Sequence, residues 1–561
     1  MKVDCWFFAV ALPFLVTATV LAQSSPDEPR LFPGVASRSG VNGTRWRTEV
    51  LLYSPGASAT ALLELIPRGV RSPVAVRAVN VPGSIPIHIE DLYAELGADE
   101  GVGMLRLSGG ASAWVRTFNL SEVGTYGQEV PGVPVSAGIP AHTKVFVPFS
   151  TPADLLAEFR SNLLLVNFET ASIDVRVSAG GVTRTVHIPP VTYIQIDGLG
   201  GWLGSVPGWA VAALSADGRF WATVSTIDPA TGDPTTVLPR SVSVIPAVQK
   251  FSGVGGNAGV NGTQWRSDVT LFNPGETDLE VSLEVVQGGV VTPGHVTLGP
   301  GQVRRIEDLY AELGAPAYEG SLWVVGGALT WVRTYNLSDR GTYGQDVADA
   351  ASEEIPATQF ALLPVARSAE RARGFRSNLL LTNLEIGLIT CDMVATNIHW
   401  TTDLWSGYRS IHDVGPLFLP APGFGAVAIA AGGRWSATVS LIDGTTGDPT
   451  TFRALPFGPT HLPPQAADDE ATTTAGTAVT IDVLANDFDP EGGALSLWTL
   501  SAPSRGTVST SSDGTAVVYT PLVGFTGFDT FTYEVRDPEN LSARASVTVA
   551  VQAPAGPELV R

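Results

Sequence analysis

The sequence predicts an all-β chain of tandem antiparallel β-sandwich modules, with a short helix in some modules. The first observation is composition: 60 glycines and 41 prolines among 561 residues are typical of turn-rich β-structure rather than helical bundles. The second is an alternation of apolar and polar residues between turn signals. The third is an internal duplication of a long segment.

The alternation is clear at residues 46–52, where every second side chain is expected on one face of a strand. The same pattern returns at residues 265–271. A proline and glycine turn follows in both places, at 54–56 and 273–275, and another alternating run comes next. The sequence therefore predicts strand, tight turn and strand.

One short helix is expected between these strands. Ile89, Leu92 and Leu96 recur at helical spacing, and Gly97 stands where a helix C-terminal cap belongs. We expect this helix to close the end of a sandwich.

A long segment of the chain occurs twice. Residues 40–50 (GVNGTRWRTEV) recur as GVNGTQWRSDV, and residues 231–236 (TGDPTT) recur unchanged, with a shift that drifts only from 219 to 215 residues. Each copy also divides into two halves, since RWRTEVLL at 45–52 resembles EFRSNLLL at 158–165. Each copy can therefore form one domain or two.

The N-terminus has the features of a secretory signal peptide, assigned to residues 1–22. Lys2 precedes an apolar run of about 15 residues, shorter than the roughly 20 of a spanning helix, although a retained anchor is the alternative. We expect no transmembrane segment after its removal and an extracellular, secreted or cell-surface protein. Cys391 is then the only cysteine, so no internal disulfide is expected, and it is interpreted as a buried apolar residue.

The net charge of −21 argues against nucleic acid as a partner, because the chain has no surplus of Lys and Arg to neutralise phosphates. The same excess of acidic residues suits solubility and divalent cations. The expected partner is an unidentified protein or glycan at the cell surface.

The C-terminal part has a different pattern. The segments VLANDFDPEG at 483–492 and YTPLVGFTGFDTFTYEVRD at 519–537 resemble the bacterial Ig-like, cadherin-like tandem domains of surface proteins. The resemblance implies a seven-stranded β-sandwich, a role in extracellular assembly and, often, calcium. The predicted domains are four β-sandwich repeats at 23–135, 136–247, 248–352 and 353–460, a cadherin-like or Ig-like domain at 461–553 and a tail at 554–561.

Calcium is also suggested by the acidic residues of this domain. Asp487, Asp489 and Glu491 stand two apart and precede a glycine, so a sharp turn can bring three oxygen ligands around one ion. The alternative is an acidic, solvated turn, and Trp498 at the twelfth position excludes a complete EF-hand. The candidate ligands are Asp468, Asp469, Asp487, Asp489, Glu491 and Asp537.

No catalytic motif is present, so the expected function is a non-enzymatic structural or adhesive one. The rival enzyme hypothesis is a secreted hydrolase that uses the acids shared by both copies. These acids are Glu90, Asp91 and Glu95, matched by Glu307, Asp308 and Glu312. Acids in the first turn of a helix also complement its dipole, and that is the favoured interpretation.

The third hypothesis is a glycan-binding protein, which predicts exposed side chains for Trp46, Trp114, Trp265 and Trp331. Buried anchors of the sandwiches are the favoured alternative. Asp233 and Asp448 of the TGDPTT segments are expected in turns that bond their own backbone. Arg47 with Glu49, and Arg266 with Asp268, are expected as weak surface ion pairs.

Overall fold

The computed structural model describes residues 28–553, except 41–43, 56–57, 123, 154–157, 206, 260–262, 339–340, 358, 371–373, 386, 396–397, 406, 460–463, 465, 488–493, 512–513 and 537–541. The predicted signal peptide and C-terminal tail lie outside these residues. The chain forms two compact units, Met1–Pro356 with Ala361–Pro456, and Ala357–Phe360 with Phe457–Arg561.

The first unit contains four β-sandwiches. The first sandwich has β1 (Arg30–Ser39), β2 (Arg45–Tyr53), β3 (Ala59–Pro67), β4 (Ala75–Val81), β5 (Ile87–Ile89), α1 (Leu92–Leu96), β6 (Gly101–Ser108), β7 (Ser112–Ser121), β8 (Gly124–Val130) and β9 (Val133–Pro134). The second has β10 (Val145–Thr151), β11 (Arg160–Asn167), β12 (Ile173–Ala179), β13 (Val182–Ile188), β14 (Tyr193–Ile196), α2 (Leu199–Leu203), β15 (Gly208–Ala216), β16 (Phe220–Ile227), β17 (Pro234–Val237) and β18 (Arg240–Ser241).

The second copy of the repeat contributes the other two. The third sandwich has β19 (Val248–Gly255), β20 (Gln264–Phe272), β21 (Leu279–Gln287), β22 (Val290–Leu298), β23 (Val303–Ile306), α3 (Leu309–Leu313), β24 (Glu319–Val325), β25 (Leu329–Ser338) and β26 (Gly341–Val347). The fourth has β27 (Gln359–Arg367), β28 (Phe375–Asn383), β29 (Ile389–Ala395), β30 (Ile398–Leu404), β31 (Gly407–Ile411), α4 (Gly415–Phe418), β32 (Gly423–Ala431), β33 (Trp435–Asp443), β34 (Pro449–Arg453) and β35 (Leu455–Pro459).

All four sandwiches have the same strand order. The third shows it most simply, with one sheet of order β22-β21-β24-β19 and another of order β23-β20-β25-β26, both antiparallel. In the first sandwich the two sheets are joined, because β1 pairs with β6 along most of its length and with β2 at its end. The prediction of repeated β-sandwich modules is confirmed. The short helix expected in some modules occurs in all four.

Local chemistry explains why the segment LYAEL forms one helical turn. Asp91 caps the turn by accepting hydrogen bonds from the backbone N–H groups of Tyr93 and Ala94, both at 3.2 Å. Gly97 ends the turn at φ 64°, a left-handed conformation that glycine adopts without strain. The Tyr93 hydroxyl donates to Val35 O at 3.2 Å, which fastens the helix over the end of the core.

The four sandwiches contact one another in a closed cycle. A shared apolar cluster that includes Leu31, Met104, Leu164 and Tyr193 joins the first sandwich to the second. Another, with Phe146, Phe272 and Trp331, joins the second to the third. The third and fourth are joined by Gln345, which accepts from Ser440 Oγ at 3.1 Å. The fourth returns to the first, where Trp114 belongs to its core cluster.

The second unit holds one further sandwich. Its strands are β36 (Asp469–Thr474), β37 (Val479–Ile481), β38 (Ser496–Leu500), β39 (Gly506–Thr510), β40 (Val517–Pro521), β41 (Gly527–Arg536) and β42 (Ser542–Gln552). They form sheets of order β36-β42-β41-β38 and β37-β40-β39, with β36 parallel to β42. Val483, Tyr519, Phe531 and Tyr533 are buried between the sheets.

None of the helices in the described parts of the chain has the length and apolar character needed to span a membrane. Cys391 is buried on β29, as predicted, and burial raises the pKa of its thiol to about 12.

Candidate functional site

Three of the six predicted calcium ligands can be located. Asp468, Asp469 and Asp487 lie in the described residues, whereas Asp489, Glu491 and Asp537 lie outside them. The Tyr533 hydroxyl lies 3.0 and 3.1 Å from the two carboxylate oxygens of Asp487, and 3.0 Å from the backbone oxygen of Ala467. A phenol carries a single proton, so this spot has more acceptors than donors.

Asp469 adds to that excess. Its Oδ2 is buried and has no hydrogen-bond partner. Burial raises the pKa of both Asp469 and Asp487, and for Asp469 the nearby carboxylates of Asp487 and Asp468 raise it further. Among the described residues, however, no group of three or more Asp, Glu, His or Cys side chains is placed to hold a metal ion.

The acids shared by both copies stabilise the short helices. Asp91 is a helix N-cap and also accepts from Arg47 Nη1 at 2.9 Å, and its counterpart Asp308 caps the third-sandwich helix and pairs with Arg266. Glu95 pairs with Arg77 at 3.0 Å. A cleft of ≈ 360 Å³ adjoins Asp308, the single carboxylate among the described residues of its lining. A glycosidase needs a carboxylate pair, and this cleft does not supply it.

The four repeated tryptophans fall into two groups. Trp114 and Trp331 are 3% and 4% exposed, and Trp331 Nε1 donates to Leu238 O at 3.0 Å. Trp46 and Trp265 are half-buried. The first two are therefore anchors between sandwiches, and the second two remain within reach of a ligand.

The TGDPTT segment of the second sandwich docks onto the third sandwich. Asp233 Oδ2 accepts from the backbone N–H of Gly344 at 2.7 Å, and Thr235 Oγ1 accepts from Arg333 Nε at 3.0 Å. The prediction that the Asp233 carboxylate bonds the backbone of its own turn is therefore wrong. The reason is that Asp228, five residues earlier, already caps this turn by accepting from Ala230 N and Thr231 N.

The same docking recurs between the fourth and first sandwiches. Asp448 Oδ2 accepts from Gly127 N at 2.8 Å, and Thr450 Oγ1 accepts from Arg116 Nε at 2.8 Å. These are the same residue types at the same positions, but here they join segments more than 300 residues apart. One interface is thus used twice, and its second use closes the cycle.

The carboxyl groups of Asp233 and Asp448 interact electrostatically. Asp233 and Asp448 are fully buried, and Oδ1 of each has no hydrogen-bond partner in the described structure. Burial raises the pKa of both carboxyls, and the neighbouring Asp448 carboxylate raises that of Asp233 further. Next to them, the rings of Tyr126 and Tyr343 stack at 5.2 Å. The centre of the unit is therefore a pseudo-twofold polar cluster.

A second, largely buried ionic cluster surrounds Arg453. Its guanidinium contacts Glu129 at 2.7 Å, Asp346 at 3.0 Å and Glu353 at 3.1 Å, so three sandwiches meet at one side chain. Burial raises the pKa of Glu129 to about 7 despite the guanidinium. The Arg240 guanidinium also lowers the pKa of Asp346 and Glu353, but burial outweighs both cations and raises the pKa of all three carboxyls, so this junction is sensitive to pH.

The expected surface ion pairs at residues 47–49 and 266–268 are wrong. Glu49 lies opposite Arg116 on the adjacent strand and accepts from it at 3.1 Å, and Asp268 accepts from Arg305 at 2.8 Å. Neighbours across a sheet are closer than residues two apart on one strand. The sequence analysis did not identify Arg116 and Arg333, the arginines of the shared WVRT segments, as interface residues. A charged residue inside an otherwise apolar strand is the signal that could have indicated them.

Comparisons with known proteins are informative only for the C-terminal unit. None of the curated proteins matches this chain. Among solved structures, a nucleoside hydrolase-related hypothetical protein from Saccharophagus degradans is 22% identical over 17% of this chain and 26% of its own length, with a TM-score of 0.14.

Two adhesion proteins give similarly weak matches. A bacterial ice-binding adhesin is 12% identical, with 51% of this chain and 92% of its own covered and a TM-score of 0.11. The N-terminal eight Ig domains of Down Syndrome Cell Adhesion Molecule are 11% identical, with 94% and 72% covered and a TM-score of 0.14. Such low scores support no functional argument. The family described as Bacterial Ig domain, in contrast, matches residues 461–550, so the C-terminal sandwich is similar to that family, as the sequence predicted.

Proposed function

We propose that this chain is a secreted or cell-surface structural or adhesive protein without catalytic activity. The match of residues 461–550 to the bacterial Ig domain carries the proposal. The contacts of the duplicated TGDPTT segment support it. Asp233 and Asp448 bind backbone N–H groups of neighbouring sandwiches and do not converge with other groups in an open cleft. The partner is a protein or glycan at the cell surface.

Cell fractionation tests the location. We expect the tagged chain in the medium, or on intact cells where added protease digests it, with a mature N-terminus near Gln23. A full-length chain that stays protected inside the cell would contradict the proposal. For the adhesive role, deletion of the gene should reduce cell aggregation or surface attachment. The full chain should restore it, and a version without residues 461–553 should not.

Calcium is the second part of the proposal, with Asp468, Asp469 and Asp487 among its ligands. The site fits a cation in part, because a buried carboxylate oxygen lacks a partner and neighbouring carboxylates raise the pKa of Asp469. Hard oxygen ligands are those that calcium prefers. The bound ion would supply charge that lets these carboxylates ionise together.

Thermal unfolding of the full chain, with calcium or with a chelator, tests this part. Saturation at about 100 times Kd should stabilise the C-terminal sandwich by about 2.7 kcal/mol. The Asp469→Asn and Asp487→Asn variants should lose the shift. The control is Asp482→Asn, since Asp482 is an exposed acid of the same sandwich. An unfolding midpoint that calcium does not move in the unmodified chain removes the metal from the proposal.

A further inference from the structure

A cavity of ≈ 200 Å³ lies between the third and fourth sandwiches. That volume corresponds to about six or seven water molecules at about 30 Å³ each. It is smaller than the roughly 300–1,000 Å³ of pockets for drug-sized ligands. The cavity therefore suits a ligand the size of one sugar ring.

The equivalent junction of the first copy is filled by apolar side chains. Val166 and Phe168 of the second sandwich are buried there against Met104 of the first, and Trp221 packs against this cluster. The duplication thus supplies an internal comparison, in which the same strands meet around apolar side chains in the first copy and around a polar cavity in the second.

Strand register identifies the substitutions that open it. In the second sandwich Val166 pairs with Trp221, and in the fourth Thr382 pairs with Ser436 at the same place in the sheet. Both Thr382 and Ser436 line the cavity. Ser436 thus stands in the fourth sandwich where the second has Trp221, and Thr382 stands where the second has Val166. The second junction has therefore both lost volume and gained polar groups.

The lining is chemically suited to an uncharged, polyhydroxylated ligand. Hydroxyl groups line it, among them Thr382, Ser436 and Thr438, and a hydroxyl group both donates to and accepts from sugar hydroxyls. The carboxylates of Asp346 and Glu353 are already paired with Arg453. Arg376, His412 and Glu319 also line the cavity, and His412 pairs with Glu319 at 3.6 Å. The hydroxyl groups are therefore the feature of the lining that favours a neutral ligand.

Trp265 provides the apolar surface that a sugar ring requires. It is half-buried, and it lines both this cavity and the cleft of ≈ 360 Å³ beside Arg266, Asp308 and Tyr310. An indole face attracts the C–H groups of a pyranose because the face is electron-rich and the C–H edges are positive. Two adjoining spaces around one indole leave room for more than one sugar unit.

We propose that the junction of the third and fourth sandwiches binds a neutral saccharide, with one unit in the cavity stacked on Trp265. This inference deepens the proposed function, because it names a saccharide as the partner. Saccharide binding is measured on the purified chain, so its failure is distinguishable from a failure of the proposed location or adhesive role. The probes are glucose, galactose, mannose and N-acetylglucosamine, with their disaccharides. Binding to the full chain is measured by saturation-transfer NMR and by calorimetry at millimolar concentration.

The expected result is binding of at least one probe, weakened about tenfold or more by Trp265→Ala, which corresponds to about 1.4 kcal/mol. The matched control is Trp46→Ala, because Trp46 has the same place in the first sandwich, opposite Asn119 as Trp265 is opposite Asn336. Equal weakening by both variants, or no binding of any probe, overturns the proposal.

A second variant guards against a folding defect. Ser436→Trp restores the indole that stands at Trp221 in the first copy, so it should fill the cavity and abolish binding. The unfolding midpoint should stay unchanged or rise, as for a filled cavity. Full saccharide binding by a folded Ser436→Trp protein would place the ligand elsewhere and refute the assignment.

Discussion

Replacing Arg453 by leucine should destabilise the first unit, and more at high pH than at low pH. The Arg453 side chain is 13% exposed, and its guanidinium contacts Glu129, Asp346 and Glu353. Removing one partner of a buried ionic contact costs about 3–5 kcal/mol, because the remaining charges lose their compensation. Leucine is the natural choice, since Leu238 follows the TGDPTT segment of the first copy at the same distance.

The pH dependence follows from the direction of the pKa shifts. Burial raises the pKa of Glu129 from 4.5 to about 7, and burial also raises the pKa of Asp346 and Glu353. A carboxyl with a raised folded-state pKa binds its proton more tightly in the folded protein. Its contribution is therefore fully present below about pH 4.5 and is lost as the pH rises through about 7, by about 3 kcal/mol for Glu129.

Without the guanidinium the three carboxylates should titrate at still higher pH. At pH 5 they are then protonated, so the loss caused by Arg453→Leu should be small, whereas at pH 8 it should approach the full value. Urea unfolding followed by tryptophan fluorescence at both pH values measures this difference. Adding Glu129→Gln to the variant should recover part of the loss at pH 8.

Arg434 offers a matched control in the same sandwich. It contacts Glu354 at 3.3 Å and Glu385 at 3.4 Å, but its side chain is 56% exposed. Solvent screens such pairs, so Arg434→Leu should cost well under about 1 kcal/mol at either pH. An Arg453→Leu loss that is no larger than this, or that is equal at pH 5 and pH 8, would refute the reasoning.

Three further outcomes are expected. Asp448→Asn should reduce the loss of stability between neutral and alkaline pH, because asparagine resembles the protonated carboxyl and removes the charge repulsion with Asp233. Urea unfolding across this pH range measures the effect. A free energy of unfolding that depends on pH as steeply as in the unmodified chain would contradict it. Trp331→Ala should cost about 3–5 kcal/mol, whereas Trp405→Ala, at a side chain 70% exposed, should be nearly neutral in the same assay. A fragment of residues 28–247 should form dimers in sedimentation experiments, because its TGDPTT segment can dock onto a second copy; a folded monomer at high concentration would contradict this.

Local patterns in the sequence predicted the elements of the fold well. The alternation at residues 46–52 corresponds to β2, which spans Arg45–Tyr53, and the helical spacing that ends at Gly97 corresponds to α1. Such patterns depend on which face of an element is buried in its own sandwich. They can therefore be read from a short stretch of sequence.

Contacts between sandwiches could not be read in the same way. The partner of Asp233 is the backbone of Gly344, and the partner of Asp448 is that of Gly127, so no local spacing connects them. Docking to a backbone N–H also leaves no residue type to recognise. The identity of TGDPTT in both copies was visible, but identity alone does not distinguish a turn from an interface.

The sequence predicted an acidic turn that contains Asp487 and named Asp468 and Asp469 as further candidate calcium ligands. In the structure burial, and then the carboxylates of Asp487 and Asp468, raise the pKa of Asp469. The hydroxyl of Tyr533, buried on β41 and directed at the same oxygens, was not anticipated. In a sequence pattern a buried tyrosine looks like any other core residue, and nothing in the pattern shows where its hydroxyl points.

The closed cycle is a consequence of the duplication. Each copy carries a TGDPTT hairpin in its last sandwich and a complementary Arg-Thr-Gly surface in its first, so the hairpin of one copy fits the surface of the next. A head-to-tail interface of this kind forms a ring when the rotation closes and a filament when it does not. Two copies in one chain make the second docking intramolecular, with an effective concentration far above that of a separate molecule. Rotation between the copies has closed the ring at two, and the interface that joins the repeats therefore also completes the unit.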